Sequence, residues 1–303
     1  MEQPNVTTDF VKLVNEEIDE SNDVTSLFNS SSIIYGMRSF QGVREYCVPK
    51  WKDKARRLIP TWESQKVVAV DLNSIFHAAF AVQPDDASGL CVNMLRNVYK
   101  TLEPTAFSVA VDCRKGVAKK YSHPEYKHKR EEKPRAYYEQ LDATIDTLSA
   151  KICIEECPGV EADDCLATIA FQCALLGTKC VLVANDKDLW QSLYNGVAMY
   201  CRKTQEYRNA QWLMAHHRIK PTQVVDWLCL TGGKNDLPGV KGVGEKTASD
   251  WLEAYGDFIG AMDATKNEHM SAFFKEHYWK VKEAHTLSVT TPVRWFLGLE
   301  ANK

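Results

Sequence analysis

Val67-Val68-Ala69-Val70-Asp71 is a short, unbroken apolar run closed by an acid, and the same design returns twice further along the chain. The second copy reads Phe107-Ser108-Val109-Ala110-Val111-Asp112. The third reads Cys180-Val181-Leu182-Val183-Ala184-Asn185-Asp186, with Asp188 following. Runs this short and continuous are what a parallel sheet buries on both faces. Helical patterns lie between them. Residues 165–176 place Leu166, Ile169, Ala170, Cys173 and Ala174 at three-and-four spacing and stop at Gly177, a residue suited to end a helix. Alternating strands and helices predict an α/β fold with a doubly wound, mostly parallel, Rossmann-like sheet flanked by helices.

In such a sheet the C-terminal strand ends share one edge, where sites are built. Asp71, Asp112, Asp186 and Asp188 are therefore expected to converge there. The stretch Gly159-Val160-Glu161-Ala162-Asp163-Asp164 precedes the helix that ends at Gly177, so its three acids belong above the same edge. Any one of these acids is an ordinary cap after a strand or before a helix. Seven together repel, and near neutral pH they need cations or raised pKa values to coexist. Oxygen donors without His or Cys point to Mg²⁺ or Mn²⁺ rather than zinc. Such ions acidify an attacking water and stabilise the leaving oxygen of a phosphodiester, so the chain is expected to cut nucleic acid.

The bulk numbers agree with a globular protein: 303 residues, 45% hydrophobic, net charge -3. That charge gives no hint of nucleic acid, but clustered carboxylates mask a basic surface elsewhere. Ten cysteines, from Cys47 to Cys229, form no CxxC pair, which argues for reduced thiols over zinc or disulfides. No apolar run of about 18 residues is present and the N-terminus is acidic, so a soluble intracellular protein away from membranes is expected, cytoplasmic and nucleoid-associated if bacterial. Gly-x-Ser-x-Gly and His-Glu-x-x-His are absent.

Three further regions stand out. Residues 1–65 begin with Glu16, Glu17, Asp19, Glu20 and Asp23 and read as a poorly ordered or loosely docked extension. From Arg114 to Arg135, nine Lys or Arg face three Glu, interleaved with Tyr121, Tyr126, Tyr137 and Tyr138. Such a strip binds phosphates, and its tyrosines could stack on unpaired bases; a solvated helix face is the plainer reading. Last, Gly239-Val240-Lys241-Gly242-Val243-Gly244-Glu245-Lys246-Thr247 looks like a P-loop, yet Glu245 interrupts the required Gly-Lys-Thr and no strand precedes it. Its glycines suit a tight turn between two helices with backbone groups open to a phosphate or a monovalent cation.

Taken in order, Gly159 to Asp164, the turn Asn185-Asp186-Lys187-Asp188, and Pro238 to Ala248 resemble the 5′-nuclease family: the 5′-3′ exonuclease domain of bacterial DNA polymerase I, phage 5′ exonucleases and flap endonucleases. The resemblance runs from about residue 66 to the end. It implies a PIN/resolvase-like sheet, a catalytic domain over 66–215 with a basic arch at about 114–135, and a helix-hairpin-helix domain over 216–303 whose end returns to the sheet as a strand after Thr286. The activity implied is hydrolysis of DNA with 5′ ends or flaps by a monomer in replication and repair, RNA primers or RNA–DNA hybrids being further substrates. Asp71, Asp112, Glu161, Asp163 and Asp164 would hold a first ion, and Asp186, Asp188 and Asp236 a second. Lys127 would polarise the scissile phosphate, helped by Arg130 and Lys119. Tyr126, Lys129, Gly239, Gly242, Gly244, Lys246 and Thr247 would contact DNA, with K⁺ at the hairpin.

Two departures bear on this. The family's Arg seven residues after the first Asp is Ala78 here, beside His77. The loop Thr231 to Pro238 is a residue shorter than the family's and offers only Asp236, with Lys234 nearby, which weakens the second ion site. A branched-DNA binder with weakened catalysis is therefore the rival expectation. A PIN-type ribonuclease, which would not need the glycine hairpin, stands behind it.

Overall fold

The computed structural model describes residues 66–113, 133–156, 159–232 and 237–287. Outside the described residues lie the extension 1–65, Lys119, Tyr126, Lys127, Lys129 and Arg130 of the basic strip, Lys234 and Asp236, and the segment expected to return as a strand.

The chain enters on β1 (Lys66–Asp71), crosses over α1 (Leu72–Val82) and α2 (Ala87–Leu102) to β2 (Ala106–Ala110), and continues through α3 (Arg135–Ser149) to β3 (Cys153–Glu155). Then α4 (Ala162–Leu176) returns it across the sheet to β4 (Lys179–Val183), followed by β5 (Val197–Cys201) and β6 (Glu206–Arg208). The strand order is β3-β2-β1-β4-β5-β6, parallel throughout except for β5 against β6. Strand order reverses between β1 and β4, which is where open α/β sheets place their ligands.

Period-two alternation explains why the strands read as unbroken apolar runs. Val67 and Ala69 of β1, with Cys180 and Leu182 of β4, face α4. Val68 and Val70, with Val181 and Val183, face α1, α2 and α3. Each such valine or leucine, when fully buried, contributes about 1.5–3 kcal/mol. Two strands are shifted by one residue from the sequence reading. β2 stops at Ala110 and β4 begins at Lys179 and stops at Val183, so Asp112 and Asp186 stand a residue further from their strands than expected. Val111 still donates to Glu155 (2.9 Å), after which the backbone turns toward α4. That helix begins at Ala162, earlier than its apolar pattern, and ends with Gly177 in the left-handed region at φ +73°, a conformation cheap only for glycine.

Beyond the sheet follow α5 (Ala210–His217), α6 (Val224–Thr231), α7 (Glu245–Tyr255), α8 (Phe258–Thr265), α9 (Glu268–Phe273) and α10 (Trp279–His285). Their apolar faces join the cluster under α4: it runs from Leu182 and Leu166 through Leu189 and Trp190 to Trp227, Phe258 and Tyr278. Asp226 of α6 ties the helices together, accepting from the Phe258 backbone (3.3 Å), the Tyr278 hydroxyl (3.2 Å) and Lys282 Nζ (3.0 Å). A buried carboxylate with three donors is satisfied rather than stranded. Among the described residues no helix is long and apolar enough to cross a membrane.

Candidate active site

Asp71 closes β1 and caps α1, its Oδ1 accepting from the Ser74 backbone at 3.1 Å. Next to it, Asp112 is held at both carboxylate oxygens. Oδ2 accepts from Asn73 Nδ2 (2.9 Å), and Oδ1 accepts from the backbone N–H of Ala162 (2.9 Å), the first residue of α4. The positive end of α4 thus faces Asp112. The Cys113 N–H donates to Val160 O (3.1 Å), which runs the acid-bearing stretch before α4 alongside β2. Glu161 is the residue flanking α4, and Asp163 and Asp164 lie in its first turn. Glu161 and Asp164 are buried, and Asp163 is half-buried.

From the other side of the switch point comes Asp186, which caps the short 3₁₀ turn Lys187–Ser192 by accepting from the Asp188 backbone (3.0 Å). Asn185 Nδ2 reaches Ser74 Oγ (3.4 Å), pinning this turn to α1. Burial pushes the Asp71 carboxyl up to about 7, and the charges of Asp112 and Asp186 add to it while the Ser74 and Asn73 amides oppose it. Asp112 and Asp186, from two other strand ends, thus both act on Asp71. Among the described residues no three His, Cys, Asp or Glu side chains are grouped closely enough, as they stand, to hold a metal ion. In kind the donors fit a hard divalent cation: all are carboxylate oxygens, and a cation would offset both the burial of the Asp71 charge and its repulsion by Asp112 and Asp186.

Asp188 is placed differently from the other acids. It is buried, and its Oδ1 meets Nδ1 of the buried His285 at 3.0 Å, across 97 residues of sequence. Gln191 fastens the same junction, donating to the carbonyls of Asp188 (2.7 Å) and His285 (2.8 Å) and accepting from the Leu287 N–H (3.1 Å). One carboxylate oxygen of Asp188 is thus committed to α10.

Tyr137 corrects an expectation. It is not open for base stacking, because its ring packs edge-on against Phe76 (5.0 Å) and Phe80 (5.1 Å) in the core; burial pushes its phenol up to about 12, with Tyr138, Asp112 and Asp71 adding. Tyr138 remains half exposed. His77 is exposed near Tyr137, their ring centres 6.3 Å apart.

The glycine turn lies between α6 and α7. Gly239 is there for packing: a Cβ on it would stand 2.3 Å from the Gly232 nitrogen. Gly242 adopts φ +80°, and a Cβ on Gly242 or Gly244 would meet nothing within 4 Å. Val240 and Val243 anchor the turn inside, while Gly242, Gly244 and Lys246 face outward and Thr247 is half-buried. Asn73 and His285 were missed from sequence. The Asp-x-Asn spacing of Asp71 and Asn73 is a usable signal for the first; the second has none, being far from its partner along the chain.

A parallel sheet with an acid-lined switch point, continued by a helical region with a glycine turn, defines the class. The chain belongs to the family described as 5′-3′ exonuclease, N-terminal resolvase-like domain, whose model matches residues 66–219. DNA polymerase I of Mycobacterium bovis is 31% identical over 214 residues, 65% of this chain and 24% of that protein. The chain thus spans about a quarter of the length of the curated relatives it matches. The T5 D15 protein, co-crystallised with metal ions, has a similar fold: TM-score 0.63 at 18% identity, over 74% of this chain and 90% of that one. The bacteriophage T5 D15 flap endonuclease in a pseudo-enzyme-product complex with DNA and metal ions matches likewise, with TM-score 0.62 at 17% identity over 74% and 89%.

Proposed function

We propose that the chain is a structure-specific 5′ nuclease that hydrolyses phosphodiester bonds in DNA bearing 5′ ends or flaps, with RNA primers as further substrates. The observation that carries this reading is that Asp112 and Asp186 lie near enough to Asp71 for their charges to add to the burial that raises its carboxyl to about 7. Family membership and the DNA- and metal-bound structures of similar fold support it. Asp71, Asp112, Glu161, Asp163 and Asp164 would hold one Mg²⁺ or Mn²⁺, and Asp186, Asp188 and Asp236 a weaker second. Ions at these positions supply charge neutralisation and acidify the attacking water.

The chain's own residues do the positioning. Asn73 and the first amide of α4 fix the Asp112 carboxylate so that little reorganisation is left for binding. The exposed glycines Gly242 and Gly244, with Lys246 and Thr247, would grip the duplex backbone, and K⁺ is the cation suited to the turn's carbonyls. Lys127, Arg130 and Lys119, with Tyr126 and Lys129, would guide the scissile strand. The chain acts as a monomer in two parts, a catalytic part over 66–215 and a duplex-binding part over 216–303.

A 5′-labelled flap incubated with Mg²⁺ or Mn²⁺ is expected to release short 5′ products. Asp163→Ala together with Asp164→Ala should abolish them while binding in Ca²⁺ persists. Well-folded wild-type protein that binds the flap but never cuts it with either metal would favour the branched-DNA binder instead.

A further inference from the structure

Lys187 sits between Asp186 and Asp188 in the acidic turn, and its ammonium leaves that turn altogether. Nζ donates to Glu245 Oε1 at 2.9 Å, and it lies 4.9 Å from the ring centre of Trp227 and 5.4 Å from that of Trp190. A cation within about 6 Å of an aromatic face is attracted by the ring quadrupole, so two rings and one carboxylate fix this side chain. The surroundings are closely packed. Trp190 packs on Trp227 (6.1 Å), Trp212 (5.8 Å) and His217 (4.7 Å), and His217 Nδ1 stands 3.9 Å from the other Glu245 oxygen.

Glu245 is the first residue of α7, directly after Gly244. An acid there suits the helix dipole, but it repels any phosphate approaching the exposed glycine turn. Lys187 cancels that charge from the catalytic side. One side chain thus joins the turn that carries Asp186 and Asp188 to the element that would grip the duplex. An exposed ion pair alone contributes little to stability; a pair seated on two tryptophans between two working elements contributes geometry.

From this arrangement we infer that Lys187 is a positioning residue that sets the distance, counted in nucleotides, between the gripped duplex and the cut phosphodiester. The inference rests on the 5′-nuclease reading. Lys187→Met keeps the aliphatic stem over the tryptophans and removes the charge; Glu245→Gln, at an exposed position, removes the partner without disturbing the fold.

With the full chain, a 5′-labelled flap and Mn²⁺, wild type should give one dominant cut. Each variant should spread the products over neighbouring positions and lower kcat about fivefold with KM changed less than twofold. The double variant should be no worse than either single one, because both remove the same link. Product ladders identical to wild type, or single effects that multiply in the double variant, would overturn the inference. A hydroxyl-radical footprint of the same flap in Ca²⁺ reads the same register without cutting. A protected edge that blurs in both variants supports Lys187 as the residue that sets the register of the bound duplex; an inactive wild type would remove the nuclease reading and, with it, the cut-site part of the inference. An unchanged edge overturns the inference, and a lowered melting temperature with an unchanged edge leaves Lys187 merely structural.

Discussion

Three glycines of one turn should respond to alanine in three different ways. At Gly239 the added Cβ would lie 2.3 Å from the Gly232 nitrogen, 2.6 Å from the Thr231 carbonyl carbon and 2.8 Å from the Gly232 Cα, all backbone atoms that no side-chain rotation can clear. Overpacking of that severity costs about 3 kcal/mol, the upper part of its usual range. For a chain of this size that lowers the melting temperature by about 5 °C. Gly242 has open space but φ +80°, so alanine there costs about 1–2 kcal/mol through backbone strain alone. Gly244 has open space and φ -93°, which alanine adopts freely, so stability should change by less than about 0.5 kcal/mol. DNA affinity should behave in the opposite order. A methyl at Gly244 stands where a phosphate would approach, and binding to a fluorescent flap in Ca²⁺ should weaken about tenfold, equivalent to ~1.4 kcal/mol. Circular dichroism melts and anisotropy titrations on the three variants decide the matter. A Gly239→Ala protein that melts with wild type, or a Gly244→Ala protein that is stable and binds the flap as tightly as wild type, would refute the reasoning.

Asn73→Ala removes one of the two groups fixing Asp112 and should lower Mn²⁺ affinity about tenfold by titration calorimetry, the low end for partners that orient a ligating group. For Asp71 the sign follows from its raised pKa: between 3.8 and about 7 the folded chain keeps a proton that the unfolded chain has released. Metal-free protein should therefore lose urea resistance as pH rises through that window and level off above it, whereas stabilisation by added Mn²⁺, which needs the ionised carboxylate, should be larger at pH 8 than at pH 6. A metal-free stability that climbs from pH 4 to 7 contradicts this assignment. His285→Ala leaves Oδ1 of the buried Asp188 without its imidazole partner and should cost about 2 kcal/mol in urea unfolding. A loss under about 1 kcal/mol would mean the pair does not fasten α10.

Much of the fold was legible because the strands are buried on both faces, which leaves an unbroken run such as Val67 to Val70 with a single reading. Strand ends were less legible: whether Val111 or Ala184 belongs to a ladder depends on a neighbouring strand, and propensity sees only the residue. The acids Asp71, Asp112 and Asp186 could be placed together because parallel strands align their C-terminal ends. Asp188 shows where that logic stops. It lies two residues from Asp186, but the 3₁₀ turn between them rotates its carboxylate inward, and its partner His285 arrives from the far end of the described chain. Tyr137 was misread for a related reason: it continues a basic, tyrosine-bearing strip in sequence yet begins the buried face of α3. Gly239 and Gly244 look alike in the motif, and only the backbone of Gly232 separates their roles.

The most direct measurement is an anomalous difference map from crystals of this chain soaked in MnCl₂. A peak beside Asp71, Asp112, Asp163 and Asp164, with carboxylate oxygens about 2.1 Å away, and a weaker one toward Asp186, is the result expected for hard divalent ions. No peak at the sheet edge at saturating Mn²⁺, or density only at surface carboxylates elsewhere, would contradict the claim that these strand ends form a metal-dependent centre.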